Sequence, residues 1–285
     1  ISHGRGETSF AVNRRNNKEP DVPKIREMGQ LKGPVDHSVP VLVIRDLKGA
    51  LRGIVCEYAC HATVLAFYEW CGDYPGFAML ELEKRHPGAM ALFCAGCGAD
   101  QNPLPRRSVE LAKKYGTMLA DAVDQVLAAK PQEISGAIRA QYKEIPLGYA
   151  EVPTREKLFE MSISLDRFEA ARGVYLLQKM MIERKLDETY PYPVQTWHMG
   201  NGPVWVHLGG EVVVDYALRI KSENPGKVVW VDGYSNDVMA YIPSVRVLKE
   251  GGYEGNTSMV YYGMPSIWAP SIEDRIMGAV NGMIK

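Results

Sequence analysis

The chain has 285 residues, of which 46% are apolar, and this excludes a disordered or fibrous protein and allows one large domain or two modest ones. Its 33 basic residues are balanced by 34 acidic ones, so no global positive field favours a nucleic-acid backbone or an anionic membrane. No apolar run reaches the roughly 18–20 residues of a transmembrane helix. We therefore expect neither a nucleic-acid partner nor a transmembrane segment.

The N-terminal region is polar and rich in turn-forming residues. Residues 1–35 include Pro20, Pro23 and Pro34, and we predict that they form an extended loop over the surface. The chain begins with Ile1 rather than Met and contains no recognisable signal peptide. We therefore expect a further N-terminal segment or a separate chain to precede it.

Strands and helices are predicted along the rest of the chain from the spacing of apolar residues. In the first half these are a hairpin of strands at 41–45 and 53–59, a helix at 76–85, a strand at 90–94 and a helix at 108–129. In the second half they are a strand at 134–145, a helical region at 154–188 with a break at Gly173, two strands within 195–208, a helix from the Gly209-Gly210 pair to Ile220, a strand at 228–231 and a helix at 271–280. This order lacks a strict βαβ period, so we predict the α/β class, with mixed β-sheets flanked by helices in a single domain over residues 1–285.

Four loops that follow predicted strands carry residues suited to chemistry, as loops on a rigid scaffold commonly do. They span residues 56–63, 94–103, 208–211 and 234–243. Taken singly, each has an ordinary structural interpretation. His61 is compatible with a hydrogen-bonded core histidine, and Glu211 with a residue that complements a helix dipole. Cys94 and Cys97 are compatible with a redox pair, half of a zinc site or a tight turn.

The order in which seven short segments occur is more informative than any one of them. They are ETSFAVNR at 7–14, IVCEYACHAT at 54–63, GDYPGFA at 72–78, GADQNP at 98–103, GEV at 210–212, NDVMAY at 236–241 and YEG at 253–255. In this order they resemble motifs of the neutral (alkaline, non-lysosomal) ceramidase family, over nearly the whole chain. The resemblance implies a ceramidase-like catalytic domain that hydrolyses an amide or another acyl bond.

The same resemblance implies a metal site and a type of substrate. The positions that match the family's zinc ligands are His61, Glu211 and Tyr241, and the implied cofactor is Zn²⁺. A catalytic zinc usually takes three protein ligands and keeps a position open for water. The resemblance also implies a small-molecule or lipid-like substrate and a periplasmic or secreted location.

Two positions depart from the family pattern. The family has a further zinc-binding histidine upstream of its Asn-Arg motif, and residues 1–12 do not supply it. We therefore expect an N-terminal segment or a second chain to complete the metal site, with His207 as the favoured substitute within this chain. The family's serine nucleophile falls at Asn102, which cannot be acylated in the same way.

Without that serine, we expect direct attack by a metal-activated water. Asn102 would donate an N–H to the developing oxyanion, and Asp100 is either the general base or a loop-capping residue. The sequence therefore predicts a zinc-dependent hydrolase of the neutral ceramidase superfamily. The alternatives are a non-catalytic binding module on the same fold and, third, a thiol oxidoreductase that uses Cys94 and Cys97. Zinc content separates the first two from the third.

Overall fold

The computed structural model describes residues 1–285, along which strands and helices alternate. The strands are β1 (Ser2–Glu7), β2 (Ala11–Asn13), β3 (Ser38–Arg45), β4 (Leu51–Tyr58), β5 (Met90–Ala95), β6 (Gln101–Pro103), β7 (Gln132–Glu133), β8 (Ile138–Gly148), β9 (Thr189–Met199), β10 (Val204–Leu208), β11 (Glu211–Val212), β12 (Val229–Asp232) and β13 (Tyr241–Ile242). The helices are α1 (Val22–Glu27), α2 (Asp73–Arg85), α3 (Val109–Ala128), α4 (Arg155–Ser162), α5 (Arg167–Glu183), α6 (Val214–Glu223), α7 (Val245–Glu250), α8 (Gly252–Gly255) and α9 (Ile272–Ile284). A helix with the length and apolar surface needed to cross a membrane is not among them.

Two sheets organise these elements. The first has the strand order β5-β4-β3-β1-β7, and the second has the order β12-β10-β9-β8. Each sheet contains one parallel pair, β4 with β5 and β10 with β12, while its other pairs are antiparallel. The predicted α/β class with mixed sheets flanked by helices is therefore confirmed.

Helix α3 illustrates how the sequence positions a helix on the first sheet. It begins after Ser108, whose hydroxyl accepts a hydrogen bond from the backbone N–H of Leu111 at 3.2 Å and so satisfies a free donor of the first turn. Tyr115, Leu119 and Val123 recur at helical spacing and are buried against the sheet. The corresponding contacts of the second sheet come from α6 and α9.

The N-terminal segment differs from the prediction of a surface loop, which was wrong. Strand β1 lies inside the first sheet, between β3 and β7, and Phe10 is completely buried. The sequence is misleading here because Gly4 and Gly6 look like loop residues. In the structure a Cβ atom at either position would clash with α3, so these glycines allow the helix to approach the strand closely.

The predicted helix break at Gly173 was also misplaced. The chain turns between α4 and α5, where the carboxylate of Asp166 accepts a hydrogen bond from the backbone N–H of Phe168 at 2.8 Å and begins α5. Gly173 lies inside α5, and a Cβ atom there would clash with the backbone of Ser162. The glycine therefore marks the close packing of two helices and not an interruption of one.

Two small ribbons lie outside the main sheets and hold the loops singled out from the sequence. In the first, β2 pairs antiparallel with β6 and sets Val12 opposite Asn102. In the second, β11 pairs in parallel with β13 and sets Glu211 opposite Tyr241. Residues that are far apart in sequence are thus brought to neighbouring positions by backbone hydrogen bonding.

Candidate active site

His61 lies just beyond the end of β4 and is held from two directions. Its backbone N–H donates to the carbonyl oxygen of Gln101 at 3.0 Å, and its Nε2 lies 2.9 Å from the carbonyl oxygen of Ala99. The loop can approach this closely because Gly98 packs against the backbone of Cys60, where a Cβ atom would lie 2.5 Å from the nitrogen. Burial, assisted by the positive charge of Arg14, lowers the pKa of His61 to about 4, so its imidazole is neutral near pH 7.

Glu211 and Tyr241 reach the same place from the β11–β13 ribbon. Glu211 Oε2 lies 3.8 Å from His61 Nε2, and the rings of His61 and Tyr241 are 6.4 Å apart between centroids. Glu211 lies on β11 and not in a first helical turn, since α6 begins only at Val214. The structure therefore brings together three side chains that the sequence singled out.

Two further tyrosines contact Glu211; sequence reasoning gave neither of them a role, although Tyr234 begins the loop singled out at 234–243. The Tyr234 hydroxyl donates to Glu211 Oε2 at 3.1 Å and lies 3.3 Å from His61 Nδ1, while the Tyr262 hydroxyl donates to Glu211 Oε1. Burial, with the nearby carboxylate of Glu211, raises the pKa of both hydroxyls, so both are protonated donors near pH 7. Tyr234 follows β12 with a left-handed φ of 57°, a strained conformation of the kind often found at functional sites.

Arg14 brings a positive charge to this group of side chains. Its Nη2 donates to the Tyr241 hydroxyl at 3.3 Å, its Nη1 lies 3.5 Å from Asn102 Oδ1, and its Nε donates to Glu254 Oε1 at 2.7 Å. The backbone N–H of Arg14 donates to the carbonyl oxygen of Asp100 at 2.8 Å. Arg14 therefore links the tyrosine of the second ribbon to the Asp100–Asn102 loop.

Asp100 and Asn102 differ in how they face the site. Asp100 is fully buried, and its two carboxylate oxygens accept hydrogen bonds from the Asn13 side chain at 2.9 Å and the Val214 backbone N–H at 2.9 Å. This arrangement favours the capping role over the general-base role for Asp100, because both oxygens hold other segments in place. Asn102 lines a cavity together with Arg14 and is the member of the pair that faces open space.

The buried carboxyl of Asp100 should make the protein's stability depend on pH. Burial raises the pKa of Asp100 from 3.8 to about 6, despite the opposing effect of its hydrogen bonds. Between these values the folded state binds a proton that the unfolded state does not, so this contribution to the free energy of unfolding is present near pH 4 and lost as the pH rises past about 6. As the pH rises across this range, the free energy of unfolding measured with urea should therefore fall by about 1–3 kcal/mol more in the unmodified protein than in Asp100→Asn. An equal pH slope in the two proteins would contradict this assignment.

The side chains of Cys97 and His207 have partners outside this site. All five cysteines are free thiols, and Cys97 is completely buried in the core of the second sheet, with a pKa raised by burial. His207 Nδ1 lies 3.0 Å from a carboxylate oxygen of Asp232, and its ring packs against Trp197. The Cys97 side chain therefore belongs to that core. The contact between its loop and His61 is made by the carbonyl oxygen of Ala99.

The donor set of His61, Glu211 and Tyr241 can be compared with the requirements of zinc. No group of three or more His, Cys, Asp and Glu side chains is gathered as a metal site, so the third donor here is a phenol oxygen. A histidine binds zinc through the ring nitrogen that carries no proton. His61 Nε2 faces the Ala99 carbonyl oxygen at 2.9 Å and so carries the proton, which leaves Nδ1 as the nitrogen that would bind a metal. The residues therefore fit zinc in donor type.

Comparisons with known proteins concern the fold. No protein-family model matches the chain, and no curated protein sequence matches it either. Among solved structures, the neutral ceramidase from Pseudomonas aeruginosa is similar with a TM-score of 0.65 and 17% identity, over 98% of this chain and 50% of that one. A ceramidase complexed with C2 is similar with a TM-score of 0.67 and 17% identity, over 98% of this chain and 52% of that one.

These similarities define the fold as ceramidase-like, as the sequence motifs implied. The chain spans about half the length of the solved ceramidases that it matches. At 17% identity the similarity describes the path of the backbone and not the chemistry of the side chains. The function must therefore be argued from the site itself.

Proposed function

We propose that this protein is a metal-dependent hydrolase that cleaves an amide or another acyl bond, with zinc held by His61, Glu211 and Tyr241. The observation that carries the proposal is the convergence of an imidazole that follows β4, a carboxylate from β11 and a phenol from β13. Arg14, which contacts this group, also lines an adjoining cavity. When bound there, zinc would polarise the acyl carbonyl and lower the pKa of a bound water to about 7.

The neighbouring side chains would hold the ligands and bind the substrate. Tyr234 and Tyr262 fix the Glu211 carboxylate by donating one hydrogen bond to each of its oxygens. Such supporting hydrogen bonds orient the ligands and contribute to the affinity of the site for its metal. The neutral state of His61 also suits a ligand, because a protonated imidazole has no lone pair to offer.

Asn102 and Arg14 are the groups that would stabilise negative charge on the substrate. Asn102 carries an amide that can donate to the acyl oxygen as charge develops on it, and Arg14 holds that amide from the other side. Asp100 acts in this proposal as a positioning residue, because its hydrogen bonds fix Asn13 and the start of α6. We expect a single acyl transfer to water, since no serine, threonine or cysteine of the described site is paired with His61.

Removal of metal tests this proposal directly. After dialysis against a chelator, hydrolysis of a panel of N-acetyl amides and acetate esters should fall by at least about 100-fold and return when Zn²⁺ is added, because zinc supplies several kcal/mol of charge stabilisation. Full activity in the chelator would contradict a metal-dependent mechanism. Hydrolysis of each compound can be measured by the release of acetate, because every member of the panel carries an acetyl group.

The position of Arg14 supports one alternative, a non-catalytic binding module. Its guanidinium lies 3.3 Å from the Tyr241 oxygen that a metal would use, so a cation already neighbours that donor. In a binding module the cavity would hold an anionic ligand without turnover. Undetectable zinc binding together with no hydrolysis of the panel would favour this alternative.

A further inference from the structure

The cavity next to the candidate active site is lined mainly by polar and charged residues. It has a volume of about 590 Å³ and is bordered by Asn102, by Arg14 from the site and by Tyr253 of α8. Leu104 and Tyr253 are the only apolar or aromatic side chains in its wall. Cavities that bind apolar ligands are usually lined mostly by hydrophobic and aromatic side chains. The wall of this cavity therefore predicts a polar ligand.

The charge of the lining is positive. Four basic side chains contribute to the cavity wall, and two carboxylates face them; these are Arg14, Arg15, Lys18 and Arg106 with Glu19 and Glu254. Glu254 is shared, since it accepts hydrogen bonds from both Arg14 and Arg15. Arg106 has one carboxylate partner, Glu19, at 2.7 Å. Arg15 also pairs with Glu250, outside the wall, at 3.1 Å, whereas Lys18 has no carboxylate partner. Four positive charges therefore face three negative ones, and positive charge is in excess around the cavity.

The arginines are also partly removed from water. The side chains of Arg15 and Arg106 are 10% and 16% exposed, so a further partner would meet these groups partly shielded from water. Charge-assisted hydrogen bonds between guanidinium groups and oxyanions are strong, and they are often bidentate. A long acyl chain placed here would instead cover charged groups without satisfying them.

From this lining we infer that the compound bound at the site carries an oxyanion group, a carboxylate or a phosphate, which Lys18 and Arg106 bind, and that it is a small polar acyl compound and not a long-chain lipid. The inference rests on the proposed hydrolase function for its reaction. In that reaction water adds to the acyl carbon and the C–N bond breaks. N-acetylglycine, for example, would give acetate and glycine, with the proton of the attacking water transferred to the leaving amine.

Four probes separate the possible substrates. N-acetylglycine carries a carboxylate, N-acetyl-O-phosphoethanolamine carries a phosphate, N-acetylglycinamide is neutral and N-hexanoylsphingosine is a lipid. We expect kcat/KM for one of the two anionic probes to exceed that for N-acetylglycinamide by about 10–100-fold, the range typical of a hydrogen bond to a charged group. Preference for N-acetylglycinamide or N-hexanoylsphingosine would overturn the inference.

Variants of the lining residues test which side chains provide the selectivity. Arg106→Gln should reduce the ratio of kcat/KM between the preferred anionic probe and N-acetylglycinamide by about 10-fold, mainly through KM, and Arg106→Lys should restore part of it. Arg52→Gln is the matched control, because Arg52 is 61% exposed on β4 and pairs with Asp46. Lys18→Gln is a second variant at an exposed position, should Arg106→Gln fold poorly. An unchanged ratio in both Arg106→Gln and Lys18→Gln would overturn the inference.

Binding measurements separate the inference from the proposed hydrolase function. Calorimetric titration with each probe in the presence of a chelator reports binding without turnover. Selective binding of an anionic probe that is lost in Arg106→Gln, with no hydrolysis in any condition, would overturn the hydrolase function and support the inference. Hydrolysis without any preference for anionic probes would support the hydrolase function and overturn the inference.

Discussion

Replacing His61 with alanine should lower the affinity for Zn²⁺ by more than about 100-fold, because even residues that only support a metal ligand typically contribute 10–100-fold. Hydrolysis of acyl amides should be lost to the same extent. Glu211→Gln should have a similar effect, since it keeps the shape of the side chain but removes the charge of a donor that lies 3.8 Å from His61. Competition with a chromophoric chelator measures the affinity.

A surface histidine provides the control for this prediction. His86 is partly exposed and pairs with Asp124, away from the β11–β13 ribbon. His86→Ala should leave zinc affinity within about twofold, as expected of a surface change at a distance from a site. Unchanged affinity in His61→Ala would mean that the metal, if bound, is held by other residues.

Replacing Phe10 with alanine should lower the free energy of unfolding by about 3–5 kcal/mol, which is the usual range for truncating a fully buried aromatic side chain. Phe10 has no exposed surface, and its ring stacks on Tyr115 of α3 with centroids 4.7 Å apart. It also contacts Tyr58 at the end of β4, with centroids 4.6 Å apart. Removal of the ring therefore leaves a cavity between the sheet and its helix.

Urea unfolding measures this effect, with Phe159→Ala as the matched control. Phe159 lies on α4 and is 60% exposed, so its truncation should change the free energy of unfolding by no more than about 0.5 kcal/mol. A small effect of Phe10→Ala would mean that residues 1–13 are not part of the cooperative core.

Local patterns predicted the parts of the fold that depend on local interactions. Ser108 and the spacing of Tyr115 and Leu119 correctly placed α3, since a cap and an apolar stripe are encoded within one segment. The N-terminal strand was missed because its stability comes from pairing with β3 and from two glycines under α3. Strand formation of this kind depends on the neighbours and not on the propensity of the segment.

Among the residues of the candidate site, too, some could be predicted from local sequence and others only from the tertiary structure. His61 could be found because a histidine directly follows an apolar strand, and motif order pointed to Glu211 and Tyr241. Tyr262 could not be found, because its contact with Glu211 joins residues from separate segments and no motif marks it. The engagement of both Asp100 oxygens by Asn13 and Val214 is likewise a product of tertiary structure.

The parallel pairing of β11 with β13 has a consequence for how this site tolerates change in the chain. Glu211 and Tyr241 are opposite each other on adjacent strands, so the distance between their backbones is set by the ladder, at about 4.8 Å between strands. Helix α6 and strand β12 lie in the intervening segment. Insertions or deletions in the exposed turn at 224–227 would therefore leave the two donors in register. A shift of one residue at either ribbon strand would turn one of the donors to the opposite face.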